Sequence, residues 1–340
     1  MAKDGFRVFD SDMHIMEPPD LWQRFTDDEF RDQAPIGVTS ENVRDLGTKH
    51  PDGAQWGSLA LGARQQPHPS RVRGHNYDRN QLLYADHASR GWGPDCQIEA
   101  MDTEGIDTAI LFPTRGLHTL AEPNMNPKLA RALARAYNDW LSDFCSYSPD
   151  RLIGAAMISP FDMNDAVEEV ERAVNHLGMK AVFIRSNLMN DIPWHDHYYD
   201  PLWDALEKYD IPIGFHEASS SGARQSGQQF APNLMLRRVY AQPFEQMMAF
   251  GAFTGGGVLE RHPGLRAAFL EANCSWLPWL LWRLDEGYER EADAYSPDLK
   301  MAPSEYFHRQ VWVSVEPDET PALDAISRYG SDNLVFSTDY

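Results

Sequence analysis

Residues 6–14 read FRVFDSDMH, and the reading of the whole chain turns on them. An apolar run, residues 6–10, breaks off into polar residues that include Asp12 and His14. A run of this kind is a short strand with its polar residues gathered at one end. Positions i and i+2 of a strand point to the same side, so the Asp12 carboxylate and the His14 imidazole face one point.

Seven more runs follow the same pattern: residues 108–112 (TAILF), 152–158 (LIGAAMI), 181–184 (AVFI), 211–215 (IPIGF), 265–270 (LRAAFL), 311–315 (VWVSV) and 334–336 (LVF). They are continuous rather than alternating, as strands covered on both faces are. Helical patterns separate most of them, over residues 94–104, 126–147, 162–177, 201–208, 276–290 and 319–329. In the second of these, Leu129, Leu133, Ala136, Trp140 and Phe144 recur at helical spacing. Asp162 and Asp318 stand where helix N-caps belong. Eight strand units with helices between them predict an α/β fold, a single-domain (β/α)8 TIM barrel spanning residues 1–340. A doubly wound sheet fits less well, because no glycine-rich dinucleotide fingerprint follows the first strand. Residues 255–257 are a bare GGG, read as a loop.

Residues 17–90, rich in Pro, Gly, His and Arg, form a long insertion after the first strand, read as a cap or lid. His75 within it and Trp92 at its end are the residues that would cover a site. The chain stops at Tyr340, just past the eighth run, so the expectation is a barrel whose eighth helix is absent from this chain.

Composition narrows the function. With 30 Lys+Arg against 51 Asp+Glu in 340 residues, the formal charge is −21. A duplex nucleic-acid binder needs a basic face, and an anionic membrane repels such a chain, so neither partner is expected. The cysteines, Cys96, Cys145 and Cys274, are odd in number and widely spaced, which argues against a disulfide scaffold. Residues 1–9 carry no apolar signal segment, so the expectation is a cytoplasmic protein.

In a barrel of this class the reactive groups gather at the C-terminal ends of the strands. Those ends carry Asp12 and His14, then Arg185, then His216 and Glu217, then Glu271, Glu316 and Asp339. Asp12, His14, His216 and Asp339 form a candidate metal site, and imidazole with carboxylate suits zinc, manganese or iron. Arg185 is a candidate clamp for a substrate carboxylate. Glu271 is a candidate acid or base, and Glu316 a second substrate-facing carboxylate. Plainer readings go to His195 and His197, exposed loop residues, and to Cys274, Trp276, Trp279 and Trp282, packing residues.

The strings VFDSDMH (residues 8–14), GFH (214–216) and FSTD (336–339), in that order, resemble the amidohydrolase-related family. The branch in question holds aminocarboxymuconate-semialdehyde decarboxylase and γ-resorcylate decarboxylase. MDTEGID (101–107) and YDPLW (199–203) extend the likeness along the whole chain. The resemblance implies a (β/α)8 barrel and one divalent metal ion, zinc first with manganese or iron as alternatives. Its ligands would be Asp12, His14, His216 and Asp339, and Asp339 would also take part in catalysis. It further implies a small carboxylic acid as substrate and a homodimer. This chain departs from the pattern at Asp12, where the family has His or Glu. It departs again at Glu271, where the decarboxylases carry a histidine that handles protons.

The leading expectation is a metal-dependent carboxy-lyase acting on an aromatic or unsaturated acid without redox chemistry. The alternative is a hydrolase that attacks an amide, ester or lactone with a metal-activated water. A barrel that only binds a small molecule is the third reading.

Overall fold

The computed structural model describes residues 5–38, 48–53, 56, 82–122, 125–217, 225–230 and 233–339. Eight strands follow one another around a single sheet: β1 (Phe9–Ile15), β2 (Thr108–Pro113), β3 (Leu152–Met157), β4 (Ala181–Ile184), β5 (Ile213–His216), β6 (Ala267–Leu270), β7 (Val311–Val315) and β8 (Leu334–Phe336). Every neighbouring pair from β1 to β8 is parallel. All four residues of β4 and of β5 are buried, and both stretches are apolar but for His216 at the end of β5.

Polar groups of the first stretch close the gap between β8 and β1. Ser11 Oγ donates to the Phe336 carbonyl at 2.8 Å. The Asp339 N–H donates to the Asp12 carbonyl at 3.2 Å. The Thr338 N–H and hydroxyl both donate to the Asp10 carboxylate. The result is the (β/α)8 barrel that the sequence predicts.

The outer layer comprises α1 (Pro94–Glu104), α2 (Pro127–Cys145), α3 (Met163–Asn175), α4 (Asp200–Tyr209), α5 (Leu234–Thr254), α6 (Leu277–Tyr295), α7 (Pro303–Gln310) and α8 (Ala322–Tyr329). The Asp162 carboxylate caps α3, accepting from the N–H groups of Asn164 and Asp165 at 2.9 and 3.1 Å. Such a cap is worth about 1 kcal/mol. On α2 the stripe of Leu129, Leu133, Ala136, Trp140 and Phe144 is buried.

Four expectations are corrected. The first strand runs from Phe9 to Ile15, not over residues 6–10, because the polar residues themselves pair with β2, around a bulge between Asp10 and Met13. Asp318 does not cap α8, which begins three residues after Glu319 with Pro321 at its N-cap position. Glu319 is drawn away to the Cys274 and Ser275 N–H groups, at 2.8 and 2.7 Å. α5 and α7 have no counterpart in the sequence reading. Trp279 and Trp282 are 56% and 57% exposed, so they are not packing residues within this chain's described structure.

The long insertion begins as part of the core. Leu21 and Trp22, on a short helix, are fully buried. Trp56 is buried too, and its indole N–H donates to the Thr119 carbonyl at 3.0 Å. Trp92 stands beside Tyr84 and His87, with ring centroids 5.6 and 6.0 Å away, and His75 lies outside the described residues. Among the described residues no helix is long and apolar enough to cross a membrane.

Candidate active site

Four strand ends bring five side chains together. His14 Nε2 lies 3.2 Å from Asp339 Oδ1. His216 Nε2 lies 3.2 Å from Asp12 Oδ1 and 3.5 Å from Glu271 Oε2. The donor atoms of Asp12, His14 and His216 lie within 4.8 Å of one another, and so do those of His14, Glu271 and Asp339. The residues predicted from the sequence as metal ligands are thus one cluster, with Glu271 beside them.

Each histidine is aimed by its surroundings. His14 Nδ1 donates to the Pro113 carbonyl at 2.8 Å, which turns Nε2 inward. The Phe112 ring stacks on His216 at 5.2 Å and 26°, and the His14 ring meets the His216 ring edge-on at 4.9 Å. Glu271, Asn273 and Asp339 all adopt left-handed backbone, with φ of 51°, 60° and 52°. For a residue other than glycine this costs on the order of 1–3 kcal/mol, and such strain gathers at functional sites. It turns the two carboxylates back over the barrel mouth.

The donor set fits a divalent cation. Among the described residues no hydrogen bond reaches either oxygen of the Asp12 carboxylate or either ring nitrogen of His216, all of them buried. Unmet buried acceptors of this kind are costly unless something satisfies them. Carboxylate and imidazole together make a borderline-hard set suited to first-row divalent ions.

The electrostatics are those of crowded acids. Burial pulls the His14 imidazole down, but the Asp339 carboxylate overrides it and holds the group up at about 10. Burial lifts Asp10 to about 6 against its hydrogen bonds from Thr338 and Asp12. Burial, then the Asp339 charge, drive Glu271 well above the usual carboxylate range. Gln242 Nε2 donates to Glu271 Oε1 at 2.6 Å and fixes its orientation. Glu316 lies at the edge of the cluster, hydrogen-bonded to Asn273 and raised first by burial and then by Asp339.

Arg185 is the exception among the predicted site residues. It is buried, and its guanidinium pairs with Glu217 while donating to the Leu117 carbonyl at 2.6 Å and to Asn187 Oδ1 at 3.0 Å. A clamp on a substrate carboxylate needs a fork turned to the cavity, and this fork is turned to protein groups. Cys274 is buried, and burial pushes its thiol up to about 12, in keeping with a packing role. His195 and His197 are exposed, and His197 pairs with Asp200.

Sequence reasoning missed Glu17 and Gln242, and it placed Glu217 at a strand end without giving it a role. Glu217 was visible as a charged residue directly after His216, but nothing local in the sequence identifies its partners. Glu17 is fully buried and accepts from the N–H groups of Thr114, Arg115 and Gly116 at 3.3, 2.8 and 2.8 Å.

A family model described as Amidohydrolase matches residues 9–340. The chain belongs to the amidohydrolase family. It is an enzyme of that superfamily. This amidohydrolase is 27% identical over 256 residues to γ-resorcylate decarboxylase of Rhizobium sp. strain MTP-10005, covering 72% of this chain and 76% of the relative. In fold it is similar to an amidohydrolase from Mycobacterium avium subsp. paratuberculosis K-10, with TM-score 0.76 and 24% identity, covering 99% of this chain and 90% of the other. It is also similar to a dihydroxybenzoic acid decarboxylase from Polaromonas sp. JS666. That structure holds manganese and the inhibitor 2-nitroresorcinol, with TM-score 0.66 and 19% identity over 98% of this chain and 86% of the other.

Proposed function

We infer that this amidohydrolase is a carboxy-lyase, removing CO₂ without redox chemistry from an aromatic or unsaturated acid with a hydroxyl or carbonyl oxygen beside the carboxylate. The observation that carries the reading is Glu271: a half-buried carboxyl at the end of β6, 3.5 Å from His216 and held by Gln242. The names of the relatives, decarboxylases of small carboxylic acids, support it.

Asp12, His14, His216 and Asp339 would hold one divalent ion. When bound, the ion supplies Lewis-acid stabilisation of the substrate's oxygens. Manganese is favoured over zinc, because two of the four ligands are carboxylates and the Polaromonas decarboxylase holds manganese. His14 must shed a proton to ligate, and the Pro113 carbonyl keeps its Nδ1 protonated while Nε2 is freed.

Glu271 does the proton work. The bond from the substrate carbon to its carboxylate breaks and CO₂ leaves. The electron pair stays on the carbon, which takes the Glu271 proton. The carboxylate left behind recovers a proton from solvent. Gln242 keeps Glu271 Oε2 toward the histidines throughout, and Glu316 borders the substrate space.

The test is product analysis in ¹⁸O water with a series of hydroxybenzoates, 2,6-dihydroxybenzoate first. Released CO₂ and an unlabelled phenol support the reading. A product carrying ¹⁸O, from an ester or lactone substrate and with no CO₂, would establish the hydrolase instead.

A further inference from the structure

Two buried carboxylates stand just beyond the two metal-facing histidines, Glu17 after His14 and Glu217 after His216. Neither reaches into the cluster. Each instead gathers donors from the loops beside it.

Glu217 takes four donors: Arg185 Nη2, Ser186 Oγ at 2.8 Å, the Asn187 N–H at 3.0 Å and Gln225 Nε2 at 2.7 Å. It therefore ties the end of β5 to the loop after β4 and to the loop after β5. Arg185 extends the tie across the barrel mouth, because its Nη1 donates to the Leu117 carbonyl. Leu117 belongs to the turn Gly116–His118. Glu17 holds that same turn through the N–H groups of residues 114–116. The approach is so close that a Cβ on Gly116 would lie 2.8 Å from Glu17 Oε1. The result is a continuous polar belt: β1, Glu17, the turn at Leu117, Arg185, Glu217, β5. It begins three residues from one histidine and ends one residue from the other.

The histidine at the β5 end needs such support. Metal-binding histidines ordinarily donate their second ring nitrogen to a fixed acceptor. His14 does so at Pro113, but among the described residues His216 has no such bond at Nδ1. Its Nε2 faces Asp12 and Glu271, the Phe112 ring stacks on it and the His14 ring meets it edge-on, while its Nδ1 side depends on the backbone, which at residue 217 is pinned by Glu217.

Resting on the metal-site reading above, we propose that Glu217 and Arg185 are positioning residues. They substitute for the missing hydrogen bond to His216 and, through Leu117 and Glu17, set the separation of the two imidazoles that share the ion. An arginine is required, because three of its nitrogens serve three different acceptors, a fork that a lysine ammonium lacks.

The experiment measures Mn²⁺ affinity of the full chain by chelator competition, with the Mn²⁺ EPR spectrum alongside. The variants are Glu217→Gln, Arg185→Lys and the double Arg185→Gln/Glu217→Gln. The double variant leaves no buried charge unpaired, so it keeps the question open to test if a single variant unfolds. Glu169→Gln is the control: Glu169 is equally buried but lies on α3, bonded to Asn138 and Arg172. Affinity is expected to fall ten- to a hundred-fold in the belt variants, with a broadened EPR spectrum and an unchanged far-UV circular dichroism spectrum. The control is expected to lose stability and keep its affinity. Belt variants that bind Mn²⁺ within two-fold of the parent, with the parent spectrum, would overturn the proposal and leave the metal site standing. A parent chain that takes up no Mn²⁺ would overturn the metal-site reading, and the proposal with it.

Discussion

His14 Nε2 and Asp339 Oδ1 stand 3.2 Å apart, joining the strand that opens the barrel to the segment that follows the last one. The same two segments are joined in the backbone, where the Asp339 N–H meets the Asp12 carbonyl. Closure of the sheet and assembly of the site are therefore one event. Asp12 and Asp339, two of the residues that seal the barrel, are also two of the proposed ligands, so an ion held there would be linked to folding.

Asp12 illustrates the cost of that arrangement. Its carboxylate is fully buried with His216 Nε2 3.2 Å from Oδ1, near the other acids of the cluster, and among the described residues neither oxygen accepts a hydrogen bond. Asp12→Asn should raise the stability of the metal-stripped chain by about 1 kcal/mol, since a buried charge is removed. It should also weaken metal binding at least ten-fold. Urea unfolding with and without chelator reads both. A loss of stability in the stripped variant would contradict the account.

Glu271→Gln keeps the Gln242 contact as a neutral pair and removes the transferable proton. The turnover rate should fall about 10²- to 10⁴-fold while the metal content stays the same. A variant that loses the metal as well would make Glu271 a ligand rather than a proton donor.

Gly214 lies where strand meets strand beneath His216. A Cβ there would stand 3.1 Å from Phe112 Cζ and 3.2 Å from Leu270 Cδ1. Gly214→Ala should cost about 1–3 kcal/mol through overpacking. It should also weaken metal binding by displacing the ring that stacks on His216. Thermal unfolding at full metal loading and a chelator titration check the two effects separately.

Most of the barrel is legible in the sequence, because strands covered on both faces leave continuous apolar runs. Residues 181–184, 311–315 and 334–336 are strands with the bounds the runs suggest. The first strand is displaced because its polar residues are part of the sheet, their side chains facing the barrel mouth rather than solvent. α5 escapes notice because Pro243 interrupts its pattern and buried polar residues, Glu245 and Gln246 among them, blur its apolar stripe. The cluster was readable because strand ends converge by the geometry of the fold. The partners of Arg185 were not, since Glu217 and Leu117 are 32 and 68 residues away in sequence.

Glu245, outside the cluster, gives the chain a pH signature. Its carboxyl is 5% exposed, and burial, then the neighbouring Glu217 charge, lift it above the ordinary value of 4.5. A raised acid holds its proton more tightly in the native state. Its contribution to stability is therefore complete below about pH 4.5 and is lost as pH rises through the native value. The slope in that window should not exceed about 1.4 kcal/mol per pH unit. Urea midpoints across the window should show a shallower slope in Glu245→Gln than in the parent, the remainder coming from Asp10, Glu271 and Glu316, which are raised as well; equal slopes would contradict the reading.

The central claim is that Asp12, His14, His216 and Asp339 hold one divalent ion. Elemental mass spectrometry of the purified, reconstituted chain tests it most directly, beside a His216→Ala/Asp339→Ala variant. The account predicts about one manganese, iron or zinc per chain in the parent and none in the variant. A parent without metal after reconstitution, or a variant that keeps its ion, would contradict it.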